Sequence, residues 1–382
     1  MPHDLKPADI LPADPRARLI GRVWSKAAGG PCPVLVEGGI VHDLSAIAPT
    51  VSALLNLEEE FAADLSGLPV LGPLEDFLTG GRAGHLLAPN DLQVVKAAGV
   101  TFVDSMLERV VDERSRGDAA QADALRGELR VAIGGQLDAV VPGSPEAAKV
   151  KQVLQGLGYW SQYLEVGIGP EAEIFTKAPP MASLGCGTTV GINRISRWNN
   201  PEPEVVLAIN ARGKIRGAAL GNDVNLRDVE GRSALLLGKA KDNNGSCAIG
   251  PFIRLFDEHF GMAEVERMAV RLGIFGEDGF KLESVNDMTR ISRRPADLVA
   301  QAMNRSHQYP DGFMLFLGTM FAPVKDRTEK GMGFTHHVGD LVTICSEELG
   351  ALINHIDYSD AIPEWTFGIM DLYRNLAGRG LL

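Results

Sequence analysis

The chain has 382 residues, of which 45 % are hydrophobic and 23 % charged, the composition of a globular protein rather than a disordered or fibrous one. Lys and Arg total 37 against 49 Asp and Glu, which gives a formal net charge of -12. A surface of this charge repels nucleic-acid phosphates and anionic lipids, so neither nucleic-acid nor membrane binding is predicted. The length exceeds what one hydrophobic core usually supports and favours two domains.

The cysteines and the apolar runs indicate the compartment. Cys32, Cys186, Cys247 and Cys345 form no C-x-x-C pair, which favours reduced, buried thiols over a disulfide framework or a zinc site. The N-terminal stretch has no apolar signal segment, and the longest apolar run, residues 313–324, is too short to span a bilayer. We therefore expect a cytoplasmic protein.

The first predicted elements alternate between strand and helix. Residues 17–48 read as a short β-region, with a Gly-Gly turn between two apolar runs. Residues 51–65 have helical spacing with acidic flanks. The second half of segment 94–117 predicts a helix whose apolar face carries Phe102, Met106, Val110 and Val111.

Two more helices are predicted between residues 118 and 157. They are separated by the sequence Pro-Gly-Ser-Pro, in which Ser144 is a candidate N-cap and Pro145 the first helical residue. The character of the chain changes near residue 160. We predict an N-terminal α/β domain with a helical insertion over 1–160 and a β-rich domain over 161–382.

The second domain has β-like runs at 172–225 and 310–356, separated by Gly, Pro and Asn, and a predicted helix over 253–273. Its most informative segment is 201–228, which reads as a strand, a turn with Gly213 in a positive-φ position, and a returning strand.

That hairpin would bring three carboxylates together. If it closes at Arg212-Gly213, Glu202 lies opposite Asp223 and Glu204 opposite Gly221. Glu202 and Glu204 share one face, because alternate side chains of a strand point the same way. The patch would be about 5–8 Å across, the spacing of cross-strand neighbours.

Facing carboxylates destabilise a sheet and raise each other's pKa, and a hard cation removes this cost. Mg²⁺ or Mn²⁺ suits a site with few carboxylates and open positions, and Ca²⁺ is also possible. From spacing alone, the alternative is that these groups are solvated side chains near turns.

Several motifs in fixed order resemble the fumarylacetoacetate hydrolase superfamily over about residues 170–356. The resemblance implies an α+β protein with a C-terminal mixed β-sandwich roll and a smaller α/β N-terminal domain, assembled as a homodimer or a higher homo-oligomer. The motifs are IFTKAP (174–179), PEPEVVLAI (201–209), GNDVNLRD (221–228), LGKAKDNNGSCAIGPFI (237–253), LGTMFAP (317–323) and GFTHHVGDLVTICSEELGALIN (333–354).

The resemblance also implies site residues. It makes Glu202, Glu204 and Asp223 the metal ligands. Two lysines of the family fall on Lys177 and Lys241, and the threonine that meets the substrate falls on Thr319. An arginine falls on Arg227, for which an ion pair with Asp228 is the simpler interpretation.

One departure bears on the activity. Hydrolases of this family use a His–Glu dyad to activate water, but here Ser105 stands where the histidine is expected, with Glu108 retained. Without imidazole the usual general base near neutral pH is missing. His336 and His337 read as solvated loop residues, and His85 is a weaker candidate for covering the site.

A branch of the superfamily that lacks this histidine dehydrates 2-keto-3-deoxy sugar acids, and the chain resembles that branch. A pentonate would yield 2-oxoglutarate semialdehyde through a metal-stabilised enolate. Glu173 and Lys241 are the predicted base and acid in either order, with a lowered pKa expected for Lys241. Thr101, Ser105, Lys241 and Thr319 are the predicted substrate contacts.

Other interpretations remain open from the sequence. An ion pair between Glu173 and Lys177 is the structural alternative for Glu173. The alternative activity is C–C bond hydrolysis of an acylpyruvate or fumarylacetoacetate-type substrate, and oxaloacetate decarboxylation is a lesser variant. A sugar-acid sensor without turnover is disfavoured, because no DNA-binding helix-turn-helix pattern accompanies the acidic chain.

Overall fold

The computed structural model describes most of the chain, with side chains given except at positions 104, 108 and 112–115. Apart from residues 127–128, the first of the two helices predicted between residues 118 and 157 lies outside the described residues, as does the end of segment 51–65. Among the described residues, no helix is long and apolar enough to cross a bilayer. The described residues are 5–58, 67–78, 81–115, 127–128, 140–321, 325–327 and 333–382.

Within these residues, eleven strands form one mixed sheet, five form a second, and two short strands pair separately. The strands are β1 (Leu19–Ser25), β2 (Gly30–Glu37), β3 (Ile40–Asp43), β4 (Val70–Pro73), β5 (Gly84–Leu87), β6 (Val94–Gly99), β7 (Glu173–Ala178), β8 (Thr189–Ile192), β9 (Asn199–Asn200), β10 (Pro203–Ile209), β11 (Ile215–Asp223), β12 (Asn225–Leu226), β13 (Cys247–Leu255), β14 (Ala269–Phe275), β15 (Lys281–Asp287), β16 (Phe313–Phe316), β17 (Leu341–Ser346) and β18 (Gly350–Tyr358).

The large sheet has the order β4-β3-β2-β1-β13-β11-β10-β16-β6-β7, with β5 also paired to β1. The second sheet has the order β15-β14-β17-β18-β8. The α-helices are α1 (Pro7–Ile10), α2 (Val51–Leu55), α3 (Val103–Ser115), α4 (Pro145–Gly156), α5 (Gln162–Ile168), α6 (Arg227–Glu230), α7 (Leu237–Lys241), α8 (Met262–Val265), α9 (Pro295–Ala302) and α10 (Ile369–Gly378).

The two larger sheets pack face to face around the main core. Leu207 of β10 and Leu220 of β11 belong to the same apolar cluster as Leu272 and Ile344 of the second sheet. The opposite face of β10 packs in a second cluster that includes α2. Every residue of β10 is therefore buried, and the hairpin β10–β11 lies at the centre of the sandwich.

The N-terminal strands are part of the same large sheet. The predicted β-region is confirmed as β1, β2 and β3, and both turn glycines, Gly38 and Gly39, have positive φ. β1 pairs with β13, with Leu19 opposite Arg254. The domain division at residue 160 remains a prediction, with strands on both sides of it sharing one sheet.

Two helix predictions are confirmed. Phe102, Met106, Val110 and Val111 are all buried, and the last three pack against α4 and α5. In α4 the Ser144 hydroxyl accepts a hydrogen bond from the Ala147 N–H at 3.1 Å, as expected for an N-cap.

The helix predicted over residues 253–273 is wrong. β13 continues to Leu255, only the four residues of α8 are α-helical there, and β14 follows. Val270, Leu272 and Ile274 are buried at alternate positions, which is the period of a strand. Their pairing with β15 and β17 overrides the local helical pattern.

Candidate active site

The β10–β11 hairpin sets the spacing of three buried carboxylates. Glu204 pairs with Gly221, and the Asp223 N–H donates to the Glu202 carbonyl at 3.0 Å, so the predicted register is confirmed. Gly213 has a φ of +77° in the connecting turn. Oxygen atoms of Glu202, Glu204 and Asp223 lie within 4.8 Å of one another.

Two buried lysines neutralise part of this cluster. The Lys241 Nζ forms an ion pair with Glu202 and lies 3.0 Å from the Asp223 Oδ2. The Lys177 Nζ lies 2.8 Å from the Asp223 Oδ1 and donates to the carbonyls of Val224, at 2.9 Å, and Lys241. Asp223 is thus held between two ammonium groups.

Arg109 supplies a third cation from α3. Its guanidinium lies 3.3 Å from the Glu202 Oε1 and 2.7 Å from the Glu230 Oε2. The Asn225 amide donates to the same two carboxylates at 3.0 and 2.5 Å. Burial acts to raise the pKa of Glu230, but the charges of Arg109 and Lys241 outweigh it and lower that pKa to about 2.

Glu204 shows that the site suits a bound cation. It is buried, and the Gly318 N–H donates to its carboxylate at 2.6 Å. Among the described residues, no Lys or Arg forms an ion pair with it. Burial and the charges of Asp223 and Glu202 raise the pKa of Glu204 well above its ordinary value. An all-oxygen set with one uncompensated carboxylate fits a hard divalent cation.

Glu173 faces this cluster from β7. It pairs with Gly99 on β6, and a side chain at Gly99 would overlap its carboxylate. Burial and the charge of Glu230 raise the pKa of Glu173 above its ordinary value. The alternative ion pair with Lys177 is not formed: four residues along a strand span about 13 Å, and the Lys177 ammonium contacts Asp223.

The predicted substrate contacts divide into two groups. Ser105 and Thr319 line the pocket together with Glu173 and Lys241. Thr101 is fully buried, and its hydroxyl donates to the Leu317 carbonyl at 2.6 Å. The structure therefore places Thr101 beneath the loop that carries Thr319 rather than in the pocket wall.

The lowered pKa expected for Lys241 beside a bound cation stays a prediction, and the metal-free site shows the opposite direction. Burial does act to lower the pKa of Lys241, but the charges of Asp223 and Glu202 outweigh it and raise that pKa above its ordinary value. The sequence shows the lysine but not the number of carboxylates around it. In the metal-free site these carboxylates therefore favour the ammonium form of Lys241.

The histidines do not approach this pocket. None of its described lining residues is a histidine. His85 stacks on Trp24 where β5 pairs with β1. His336 is buried, not solvated as predicted, and its Nδ1 lies 3.2 Å from Asp340, whereas His337 is partly exposed. Glu108 lies on α3, and its side chain is outside the described part of the chain.

Arg227 and Asp228 lie at the start of α6. The Arg227 guanidinium lies over the Trp198 ring, 4.4 Å from its centroid. Asp228 accepts hydrogen bonds from the Ser196 hydroxyl at 2.6 Å and the Arg197 N–H at 2.9 Å. Neither residue lines the pocket.

Arg109, Glu230 and Asn225 are absent from the residues predicted from the sequence. One signal points to Arg109: it follows Ser105 by four residues on a helix, so both lie on one face. Asn225 follows Asp223 at the next same-face position of an extended segment. No local pattern points to Glu230. Its side chain reaches the site only because α6 directs it back towards the β10–β11 hairpin.

Residues 171–357 match the family described as fumarylacetoacetate (FAA) hydrolase C-terminal. The 2-dehydro-3-deoxy-D-arabinonate dehydratase of Saccharolobus solfataricus is 33 % identical over 185 residues, which are 48 % of this chain and 58 % of that protein. The probable 2-keto-3-deoxyxylonate dehydratase of Haloferax volcanii is 30 % identical over 196 residues, 51 % of this chain and 63 % of that protein. The chain thus covers less than two thirds of either relative.

A solved structure shares the fold. The 2-keto-3-deoxy-D-arabinonate dehydratase complexed with magnesium and 2,5-dioxopentanoate is 21 % identical, with a TM-score of 0.61 over 89 % of this chain and 99 % of that chain. This similarity confirms the predicted α+β fold with a fumarylacetoacetate hydrolase-like sandwich.

Proposed function

We propose that this chain, whose residues 171–357 form a fumarylacetoacetate hydrolase C-terminal domain, dehydrates a 2-keto-3-deoxy pentonate to 2-oxoglutarate semialdehyde in a Mg²⁺-dependent reaction. The names of the two sequence relatives support this activity. So does the solved dehydratase with magnesium and 2,5-dioxopentanoate, which shares the fold.

The residues that line the pocket favour dehydration over hydrolysis. Glu173 faces the three clustered carboxylates, and no imidazole is present among the described lining residues. Hydrolysis needs a base that activates water, whereas dehydration needs a group that moves a proton on the substrate itself. A carboxyl group with a raised pKa, such as Glu173, suits the second task.

Glu202, Glu204 and Asp223 would hold the cation, with Mg²⁺ favoured and Mn²⁺ or Ca²⁺ possible. A cation bound there supplies Lewis-acid polarisation of the 2-oxo acid group, which makes the C3 protons more acidic. The Gly318 N–H and the Asn225 amide orient two of these carboxylates, Glu204 and Glu202.

The chain's own residues would handle the protons. Glu173 removes a proton from C3, and the Lys241 ammonium gives a proton to the C4 hydroxyl, which leaves as water. The proton now on Glu173 can then return to Lys241, so that no other acid is consumed. Further proton shifts from C5 convert the unsaturated product to the semialdehyde. We assign the proton transfers at carbon to Glu173. Lys241 is the cationic proton and hydrogen-bond donor beside the reacting groups, and it lies against Glu202 and Asp223. The hydroxyls of Ser105 and Thr319 would contact the substrate.

The test is a coupled assay with a semialdehyde dehydrogenase across a panel of 2-keto-3-deoxy acids, with Mg²⁺. We expect turnover of at least one pentonate, loss of turnover with EDTA, and recovery when Mg²⁺ is restored. Glu173→Gln should lower kcat by about 100-fold or more, the usual contribution of a general acid–base group. Glu171→Gln, at an exposed residue just before the same strand, should keep it.

Two results would overturn the proposal. One is near-wild-type turnover in Glu173→Gln, which would remove the assigned proton carrier. The other is cleavage of an acylpyruvate by the wild-type chain without dehydration of any pentonate, which would establish the hydrolase alternative.

The assembly and compartment remain proposals. We propose a homodimer or a higher homo-oligomer, to be measured by light scattering coupled to size-exclusion chromatography. The described cysteines are all free thiols, and three of the four are buried, which supports a reducing, cytoplasmic setting.

A further inference from the structure

The pocket wall contains an ion pair, Arg109–Glu230, that has no role in the proposed reaction. Arg109 comes from α3 and Glu230 from the end of α6, and they meet at 2.7 Å. About 20 % of the Arg109 side chain is exposed, whereas Lys241 is 3 % and Lys177 fully buried. Arg109 is therefore the most accessible of the site's three cations described here.

With every acidic and basic group in its charged form, the charges around the pocket balance when a divalent cation is included. Five carboxylates line it, and three cations lie among them or directly behind them. The excess of two negative charges is what a divalent cation cancels. The five carboxylates are Glu173, Glu202, Glu204, Asp223 and Glu230, and the three cations are Arg109, Lys177 and Lys241.

A neutral site accepts one negative charge more easily than two, because each added charge is repelled by the one already bound. Without Glu230, the same site would carry one net positive charge, and Arg109 would keep only its contact with Glu202. An acid with two carboxylates would then gain a partner for its second one.

We propose that Glu230 selects for substrates with a single carboxylate by neutralising Arg109. The selected class is the monoanionic 2-oxo acids with neutral tails, and the rejected class is the 2-oxo dicarboxylates. This inference rests on the proposed function, because it requires a 2-oxo acid to bind in this pocket. Asn225, which donates to both Glu230 and Glu202, keeps the pair in place beside the metal-ligand candidates.

Isothermal titration calorimetry with Mg²⁺ tests this with two stable probes of equal chain length, 2-oxopentanoate and 2-oxoglutarate. The wild-type protein should bind 2-oxopentanoate more tightly. Glu230→Gln should shift the ratio of the two Kd values by about tenfold towards 2-oxoglutarate, the size of one charge at this range in a partly buried site. Glu266→Gln, at an exposed position, should leave the ratio unchanged.

A second variant should shift the ratio of the two Kd values in the opposite direction. Arg109→Gln exposes the Glu230 charge and should shift the ratio by about tenfold towards 2-oxopentanoate. If either variant fails to fold, the other decides. The inference is overturned if a folded variant still binds 2-oxopentanoate but its ratio of the two Kd values stays within about twofold of wild type. The proposed function would survive that result. If the wild-type protein binds neither probe, the proposed function falls, and the inference falls with it.

Discussion

Glu173 lies directly across from Gly99 in neighbouring strands, and its carboxylate occupies the space that a side chain at Gly99 would fill. The carboxylates of Glu173 and Glu202 line the same pocket. A missing side chain on one strand thus positions a functional group on the next.

Gly99→Ala should therefore lower activity more than the addition of a single methyl group would suggest. The added methyl displaces the Glu173 carboxylate, and a misplacement of about 1 Å can cost about 100-fold in rate. We expect kcat to fall by about 10–100-fold. The free energy of unfolding should change little, because the overlapping atoms are the far end of a flexible side chain that can move aside. Gly156→Ala, where the added methyl meets open space in α4, is the control. Unchanged kcat in Gly99→Ala would show that Glu173 needs no such positioning.

Glu204→Gln should stabilise the metal-free protein at alkaline pH. Because the folded-state pKa of Glu204 is raised, its protonated form stabilises the fold fully below the unfolded pKa, and that stability is lost as pH rises. The neutral amide avoids this loss, with a gain of about 1–3 kcal/mol in unfolding free energy at pH 8.

The same variant separates stability from metal binding. Added Mg²⁺ should raise the melting temperature of the wild-type protein and have little effect on Glu204→Gln, since a ligand has been removed. Glu266→Gln, an exposed change of equal charge, should respond like wild type. Equal stabilisation of both proteins by Mg²⁺ would rule out Glu204 as a ligand.

Lys177→Met tests the support behind the site. The fully buried ammonium pairs with Asp223 and satisfies two backbone carbonyls, so its removal leaves a buried charge poorly compensated. We expect a loss of about 3–5 kcal/mol in urea unfolding. Lys239→Met, at an exposed position, should change the free energy by less than about 0.5 kcal/mol. Equal effects of the two variants would contradict this role.

We expect His336 to cause part of the loss of folding stability at acidic pH. Burial lowers the pKa of His336, against the opposing effect of Asp340, while Arg327 and His337 also act to lower it. The unfolded chain takes up a proton near pH 6.5 that the folded chain does not, so stability should fall by about 1 kcal/mol between pH 6.5 and 5.5.

Urea unfolding at these two pH values measures this effect. His336→Gln should lose it, and His307→Gln, at an exposed position, should keep it. A separate loss at lower pH should persist in His307→Gln. Burial acts to raise the pKa of Asp340, but hydrogen bonds from His336 and Arg327 outweigh it and lower that pKa to about 2, so its contribution disappears only as pH falls through that value.

The hairpin register could be predicted because it depends on local rules. Gly213 marks the turn, and the two-residue period of a strand then fixes which carboxylates face each other. The same rules place Glu204 opposite Gly221 with no tertiary information. Family motifs on either side added Lys177, Lys241 and Thr319, two of which line the pocket.

The rest depends on contacts that no local pattern contains. Glu230 and Arg109 are 121 residues apart in the chain and meet only after α3 and α6 pack beside the hairpin. The direction of the Lys241 pKa shift depends on how many carboxylates surround one ammonium. The helix expected over 253–273 failed because pairing in the second sheet decided its second half.

The order of the large sheet has a consequence for engineering. β13 is paired on one side with β1, and β16 on one side with β6, so strands from before residue 160 flank the central hairpin at both sides. Removing residues 1–160 would expose the backbone edges of β13 and β16 and would leave β7 without its partner strand β6. Such unpaired edges recruit other chains, so we expect the isolated fragment 161–382 to aggregate unless the missing strands are supplied in trans.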